Sequence, residues 1–212
     1  LVELSALVQD IETSYLLNEL KDNDVKNFVN DSMIQIKYMS KTLSDFRNFL
    51  KPSTKKVLFS ISKALNEINE IIGKQVFYSN INMNFNYKNK NEELLIYGYE
   101  NEFKQVLLNI INNAKNKIVE KNLPLNKKGE ININIQRCEN CNMIEIIDDA
   151  GAIDEKIINS IFEPYFTTKE NGMGLGLYMA KIIIEDKMKG TISVRNDKNC
   201  VIFTIKLPFK KA

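Results

Sequence analysis

Histidine is absent from all 212 residues, and tryptophan with it. Without an imidazole the chain alone can build neither a Ser-His-Asp relay nor a histidine-ligated zinc site. Three cysteines are too few, and odd in number, for a disulfide framework. Cys138 and Cys141 make a C-x-x-C, but the one other cysteine is Cys200, short of the roughly four ligands of a structural zinc. RCENCN therefore reads as a hairpin turn flanked by two thiols, with a facultative disulfide between them as the alternative. No window approaches the roughly 18 consecutive apolar residues of a membrane span, and the opening LVELSALVQDIE has neither the basic start nor the small-residue cleavage site of a signal peptide. Neither sign of charge dominates: 29 basic against 27 acidic residues leave +2, no field that would advertise nucleic-acid binding. These absences predict a cytoplasmic piece with no nucleic-acid partner and no membrane contact of its own, whose partners must be read from sites.

A 44% hydrophobic content predicts a real core. In the first fifty residues Leu1, Leu4, Val8, Ile11 and Tyr15 step by 3 and 4, and Val29, Met33, Ile36, Met39, Leu43, Phe46 and Leu50 do so again after NELKDND. The spacing predicts two amphipathic helices joined by a polar turn, with Asp22 or Asp24 capping the second and Pro52 ending it. Such a hairpin cannot bury its stripe alone. The expected partner is a second copy, giving an antiparallel four-helix homodimer, against the alternative of packing on the rest of its own chain. Residues 1–51 are thus a helical hairpin and 52–212 a second domain.

Past Pro52 the periods alternate: a helical run SISKALNEINEIIGKQ, a strand in which Ile81, Met83, Phe85 and Tyr87 face away from four asparagines, and a helix over 101–120. Strands follow at 131–136, 142–148, 191–195 and 201–207. The expected class is α+β: an N-terminal helical hairpin, then an α/β sandwich of a mixed sheet with helices on one face.

Three stretches carry chemistry. In NEFKQVLLNIINNAKNKI, Asn109, Asn113 and Asn116 lie along a stripe beside the apolar one. Asparagine is a mediocre helix former; its side-chain carbonyl can coordinate a hard cation such as Mg²⁺ and its amide can donate to phosphate. A solvated asparagine face is the plain alternative. The run MIEIIDDAGAID ends a buried strand in Asp148, Asp149 and the small turn Ala150-Gly151-Ala152, where a flat ligand could approach and give a hydrogen bond to the carboxylate, a purine amino group being one suitable donor. A plain strand-end turn is the other reading. Finally, in EPYFTTKENGMGLGLYMAK the glycines 172, 174 and 176 permit tight backbone, Lys169 offers a point charge, Thr167 and Thr168 offer hydroxyls, and Phe162 and Phe166 could pin the loop.

Together and in this order, the stretches resemble the nucleotide-binding boxes of the sensor histidine kinases of two-component systems, within the ATPase superfamily that includes gyrase, Hsp90 and MutL. NIINNA is similar to the N box, DDAGAI to the first glycine box, IFEPYFTTK to the F box and GMGLGL to the second glycine box. QIKYMSKTLSDFRNFLKP resembles the second helix of the dimerisation hairpin. The resemblance implies an ATP-binding catalytic domain in which Asn109 and Asn113 bind Mg²⁺ and the phosphates, Asp148 accepts from the adenine amino group, and Lys169 with the glycines from 172 to 176 forms a mobile lid. It implies cofactor contacts also at Asn116, Lys117, Gly151, Ile153, Phe166, Thr167, Thr168, Leu175 and Leu177, catalytic roles for Asn109 and Lys169, a response regulator receiver domain as partner, and a parent protein anchored in the inner membrane. Lys37, Lys41 and Arg47 would contribute to regulator docking, unless they are a solvated helix face.

Two departures from the family pattern matter. Its first glycine box reads D-x-G-x-G, whereas Ala150 and Ala152 stand at the outer positions here. Were Ala152 to need a positive φ, it would cost on the order of 1 kcal/mol. The family also phosphorylates a histidine near the start of the hairpin, so the sequence is expected to begin just after that acceptor and not to autophosphorylate. A non-catalytic nucleotide-binding or scaffold module with a degraded glycine box is the alternative. A hydrolysing ATPase is disfavoured, because hydrolysing relatives place a glutamate where Asn109 stands.

Overall fold

The computed structural model describes residues 2–50, 52–88, 92–121, 124, 127–169 and 172–208, with side chains from residue 5 onward except at 38–50. The chain divides into two compact units, Leu1–Phe49 and Leu50–Ala212.

The first unit holds α1 (Val2–Leu16) and α2 (Asp22–Leu50). Asn18 ends α1 at φ 53°, a left-handed position its short polar side chain tolerates. Glu19 N then donates to Ser14 O and Asn18 N to Tyr15 O, so two otherwise orphaned carbonyls are satisfied. Neither Asp22 nor Asp24 is the cap itself, which corrects the sequence expectation. Asp24 sits one turn inside α2 and its carboxylate reaches back to accept from Lys21 N at 3.0 Å, while Asp22 lies in the first turn near the positive end of the helix. Val8, Tyr15, Val29, Met33 and Ile36 are between 42% and 68% exposed, so the hairpin does not bury this stripe by itself. Lys37 is exposed, whereas the side chains of Leu1, Leu4, Met39, Leu43, Phe46, Leu50, Lys41 and Arg47 lie outside the described residues.

The second unit runs β1 (Val57–Ser60), α3 (Ile61–Tyr78), β2 (Ile81–Tyr87), β3 (Leu95–Gly98), α4 (Glu100–Glu120), β4 (Gly129–Arg137), β5 (Cys141–Asp148), α5 (Gly176–Lys181), β6 (Thr191–Asp197) and β7 (Cys200–Pro208). α5 passes directly into a π-helical stretch, Ile182–Lys187. The main sheet has the order β2-β4-β5-β7-β6, with β2 parallel to β4 and every other pair antiparallel. Period-2 alternation builds its two faces. Phe85, Ile133, Ile146, Phe203 and Val194 form one cross-strand row, and Met83, Ile131, Asp148, Val201 and Asn196 the next. The isoleucines at 131, 133, 135, 144 and 146 are fully buried on this face, under α3, α4 and the π-helical stretch. Each such side chain contributes roughly 1.5–3 kcal/mol by leaving water. The opposite face is wet, where Asn84 and Asn86 donate to Asn132 and Asn134 at 3.0 Å. RCENCN is the β4–β5 hairpin turn with Cys138 and Cys141 free.

β1 and β3 form a separate antiparallel pair that the sequence pattern does not reveal, because four residues are too few for alternation to register. Asn142, fully buried on β5, ties this pair to the main sheet by donating to Leu95 O at 2.9 Å. One further contact orients α4. Its own N-cap, Tyr99, makes no side-chain cap hydrogen bond. Ser53 does so from 48 residues away: Ser53 Oγ accepts from Asn101 N at 3.2 Å, and the Glu102 carboxylate accepts from Ser53 N at 3.3 Å. This is a capping box assembled from two chain segments. Ser53→Ala is expected to lower stability by about 1 kcal/mol, read as a shift in urea midpoint; an unchanged midpoint would show the cap to be idle.

Candidate functional site

A cavity of about 500 Å³ opens at the end of β5, walled by α4 on one side and by the segment after β5 and the segment leading into α5 on the other. α4 contributes Asn109, Asn113, Ala114 and Lys117; the segment after β5 contributes Asp148 and residues 150–154; and residues 166–169 and 172–177 close the rim. Every site residue expected from the sequence lines this cavity except Asn116, which is half-buried on α4 between the lining residues Ala114 and Lys117. Sequence reasoning passed over Ala114, Asp154, Ile157, Ile161, Met173, Val201 and Phe203 as lining. Val201 and Phe203 were accessible to it, since they share the inward face of β7 and Val201 stands opposite Asp148 in register.

Asp148 is 4% exposed, the inward-facing last residue of β5. Burial pushes its carboxyl up to about 6, against the opposing hydrogen bond from Ala150 N; the charge of Asp149 adds to the rise and Lys121 counters it. A carboxylate kept buried at such a cost, with a single backbone N–H as its hydrogen-bond donor among the described residues, is the kind of perturbed group that binding sites characteristically hold.

The next residue, Asp149, anchors the chain. Asp149 Oδ1 accepts from Glu130 N at 2.9 Å, and Lys121 Nζ donates to Asp149 O at 3.0 Å. Of the turn that follows, Gly151 alone takes a left-handed φ, 105°. Ala150 and Ala152 are outside that region, so the conformational cost attached to alanine at 152 does not arise.

On α4, Asn109 Nδ2 is buried without a hydrogen-bond partner among the described residues. One turn on, Asn113 Oδ1 accepts from Lys169 Nζ at 2.9 Å. A cationic nitrogen therefore already rests on one asparagine oxygen of this wall, while the neighbouring amide is unsatisfied. Oxygen donors of this kind suit a hard cation, and the unpaired amide suits an anionic oxygen. Thr167 Oγ1 accepts from Lys169 N at 3.1 Å and shapes the turn that carries the lysine. The loop root is equally constrained: Phe162 packs edge-on against Phe203 with centroids 6.3 Å apart, and Tyr165 holds φ 65°. Tyr165 is an uncommon residue in that conformation and marks local strain beside the cavity.

A family model described as "Histidine kinase-, DNA gyrase B-, and HSP90-like ATPase" matches residues 98–211. Sporulation kinase A of Bacillus subtilis is 30% identical over 171 residues, covering 79% of this chain and 27% of the relative. Sporulation kinase C of the same organism is 25% identical over 214 residues, 99% of this chain and 46% of the relative. The chain thus spans less than half the length of these curated relatives. Among solved structures, the catalytic domain of histidine kinase ThkA superposes with a TM-score of 0.64 at 28% identity, covering 73% of this chain and 96% of that one. ThkA in complex with the response regulator protein TrrA matches at a TM-score of 0.61 and 22% identity over 98% of this chain and 59% of that one, a likeness of fold.

Proposed function

The chain belongs to the histidine kinase-, DNA gyrase B- and HSP90-like ATPase family, and from that premise we propose that it is the core of a sensor histidine kinase, binding Mg-ATP for transfer of the γ-phosphoryl group to a histidine. The observation that carries this reading is the convergence on one cavity of the α4 asparagines, a buried carboxylate, and a lysine on a glycine-bearing loop.

In this reading Asp148 accepts the adenine amino group, with Ile153 beside it. Asn109 and Asn113 would hold Mg²⁺ and the phosphates, and the ion would supply charge neutralisation across the polyphosphate. Lys169, whose Nζ donates to Asn113 Oδ1, exchanges that hydrogen bond for the phosphates when nucleotide binds. Phosphoryl transfer forms a bond from an imidazole nitrogen to the γ-phosphorus as the β–γ bridging oxygen departs with ADP. The protein's part is positioning and electrostatics. The acceptor lies outside these 212 residues, which contain no histidine.

Residues 1–51 serve as the dimerisation hairpin and 52–212 as the catalytic domain. The exposed apolar residues of α1 and α2 suit a second copy, completing a four-helix bundle. A response regulator aspartate then receives the phosphoryl group. Asn109 offers no carboxylate to activate water, which favours transfer over hydrolysis.

The test mixes the chain with γ-labelled ATP and a polypeptide carrying the phosphoacceptor helix of a related kinase. Acid-labile, alkali-stable label on that polypeptide, abolished by Asn109→Ala, is the expected result. Release of free phosphate without labelling would overturn the assignment.

A further inference from the structure

The loop that roofs the base end of the cavity is held by a residue that does not itself line it. Ile153 N donates to Asn196 Oδ1 at 2.9 Å, Asn196 Nδ2 donates back to Ile153 O at 2.8 Å, and the second amide hydrogen goes to Glu155 Oε1 at 2.9 Å. A side-chain amide offers donor and acceptor in one plane, so Asn196 pairs with Ile153 as a neighbouring strand would. Its orientation is fixed by all three partners, since a flipped amide would oppose donor to donor at Ile153 N.

The register explains why the contact falls there. Asp148, Val201 and Asn196 occupy one row on the inward face, on β5, β7 and β6. Adjacent strands lie about 4.8 Å apart, so residues 149–153 must cross roughly 10 Å, over the end of β7, to reach β6. The near end of this span is fixed at Asp149 by Glu130 N and Lys121. The far end is fixed by Asn196.

We infer that Asn196 is a positioning residue for nucleotide recognition, setting the distance between the Asp148 carboxylate and the Ile153 wall and hence the width of the slot that takes a flat base. This rests on the nucleotide reading above. The role is separable from that of Lys169, which acts at the phosphate end.

The experiment titrates the protein with Mg-ATP and with adenosine by calorimetry, for the unaltered chain, Asn196→Ala, Asn196→Asp and Lys169→Ala, with exchange of the Ile153 amide followed by NMR. Asn196→Ala is expected to weaken ATP and adenosine by the same factor, about tenfold, and to accelerate Ile153 exchange. Asn196→Asp keeps the acceptor for Ile153 N but sets a carboxylate against Glu155 and Ile153 O, and should lose affinity to a similar degree. Lys169→Ala should weaken ATP and leave adenosine unchanged. Unchanged adenosine affinity and Ile153 exchange in Asn196→Ala would overturn the positioning role while the nucleotide reading stands. Absence of any nucleotide binding by the unaltered chain at millimolar concentration would instead overturn that reading, and the role with it.

Discussion

Asp148→Asn should make the folded protein more stable at neutral pH while removing most of its affinity for nucleotide. The carboxyl is raised from an ordinary 3.8 to about 6, chiefly by burial. Between these values the native state holds a proton that the unfolded chain has released. Stability therefore falls as pH rises from about 4 to about 6 and stays lowered above that window. The full shift corresponds to about 3 kcal/mol, and asparagine, which buries no charge, should recover about 2 kcal/mol of it at pH 7. Urea melts at pH 7 and pH 4 check this: the variant's advantage should be present at pH 7 and largely gone at pH 4, where native Asp148 is protonated and buries no charge. Affinity moves the other way. A charged acceptor contributes roughly 1.5–3 kcal/mol to a hydrogen bond, so nucleotide binding should drop by about a hundredfold. For the same reason, binding by the unaltered chain should weaken as pH falls below about 6.

The second large effect is expected at Gly174, which combines φ 66° with close approach to backbone. A Cβ there would lie 2.3 Å from Tyr165 C and 2.7 Å from Phe166 N. The left-handed conformation alone costs an alanine roughly 1–2 kcal/mol. The contact cannot be relieved by a rotamer, because the obstructing atoms belong to the loop root that carries Phe166 into the cavity. Gly174→Ala should therefore displace the loop and lower ATP affinity about a hundredfold, while the thermal midpoint moves by only a few degrees because the sheet core is untouched. Gly172→Ala is the control. There the Cβ meets Thr167 Oγ1, the end of a side chain that can turn away, and a loss nearer tenfold is expected. Equal, small losses in both variants would show that the backbone contact at Tyr165 is not needed for binding.

Elements with strong periodicity were legible in the sequence, and for a physical reason. The helix expected over 101–120 spans Glu100–Glu120, and the strand expected over 142–148 spans Cys141–Asp148. Each buries one face across several turns or pleats, so the pattern repeats often enough to be read. Short elements whose stability comes from distant partners were not legible. β1 and β3 stabilise each other by pairing, and the cap of α4 comes from Ser53, which nothing local to α4 announces. The π-helical stretch IIIEDK likewise has the composition of an ordinary helix.

The site was legible where its chemistry is carried by residue type. Glycines, a lysine and a terminal aspartate stand out in a linear reading, and all of them line one cavity. What escaped is the support beneath them. Asn196 looks like one more asparagine in an asparagine-rich chain, and only the row that it shares with Asp148 and Val201 gives it meaning. Conversely, Ala152 reads as a defect against the family pattern, yet the backbone places the single left-handed residue of that turn at Gly151.

Calorimetric titration of the protein with ATP, with and without Mg²⁺, bears most directly on the central claim that this cavity is a nucleotide site. The account predicts binding at micromolar to sub-millimolar affinity that is strengthened by Mg²⁺ and largely lost in Asn113→Asp and Asp148→Ala. An unaltered chain that binds no ATP at millimolar concentration, or binding that survives both substitutions, would contradict it.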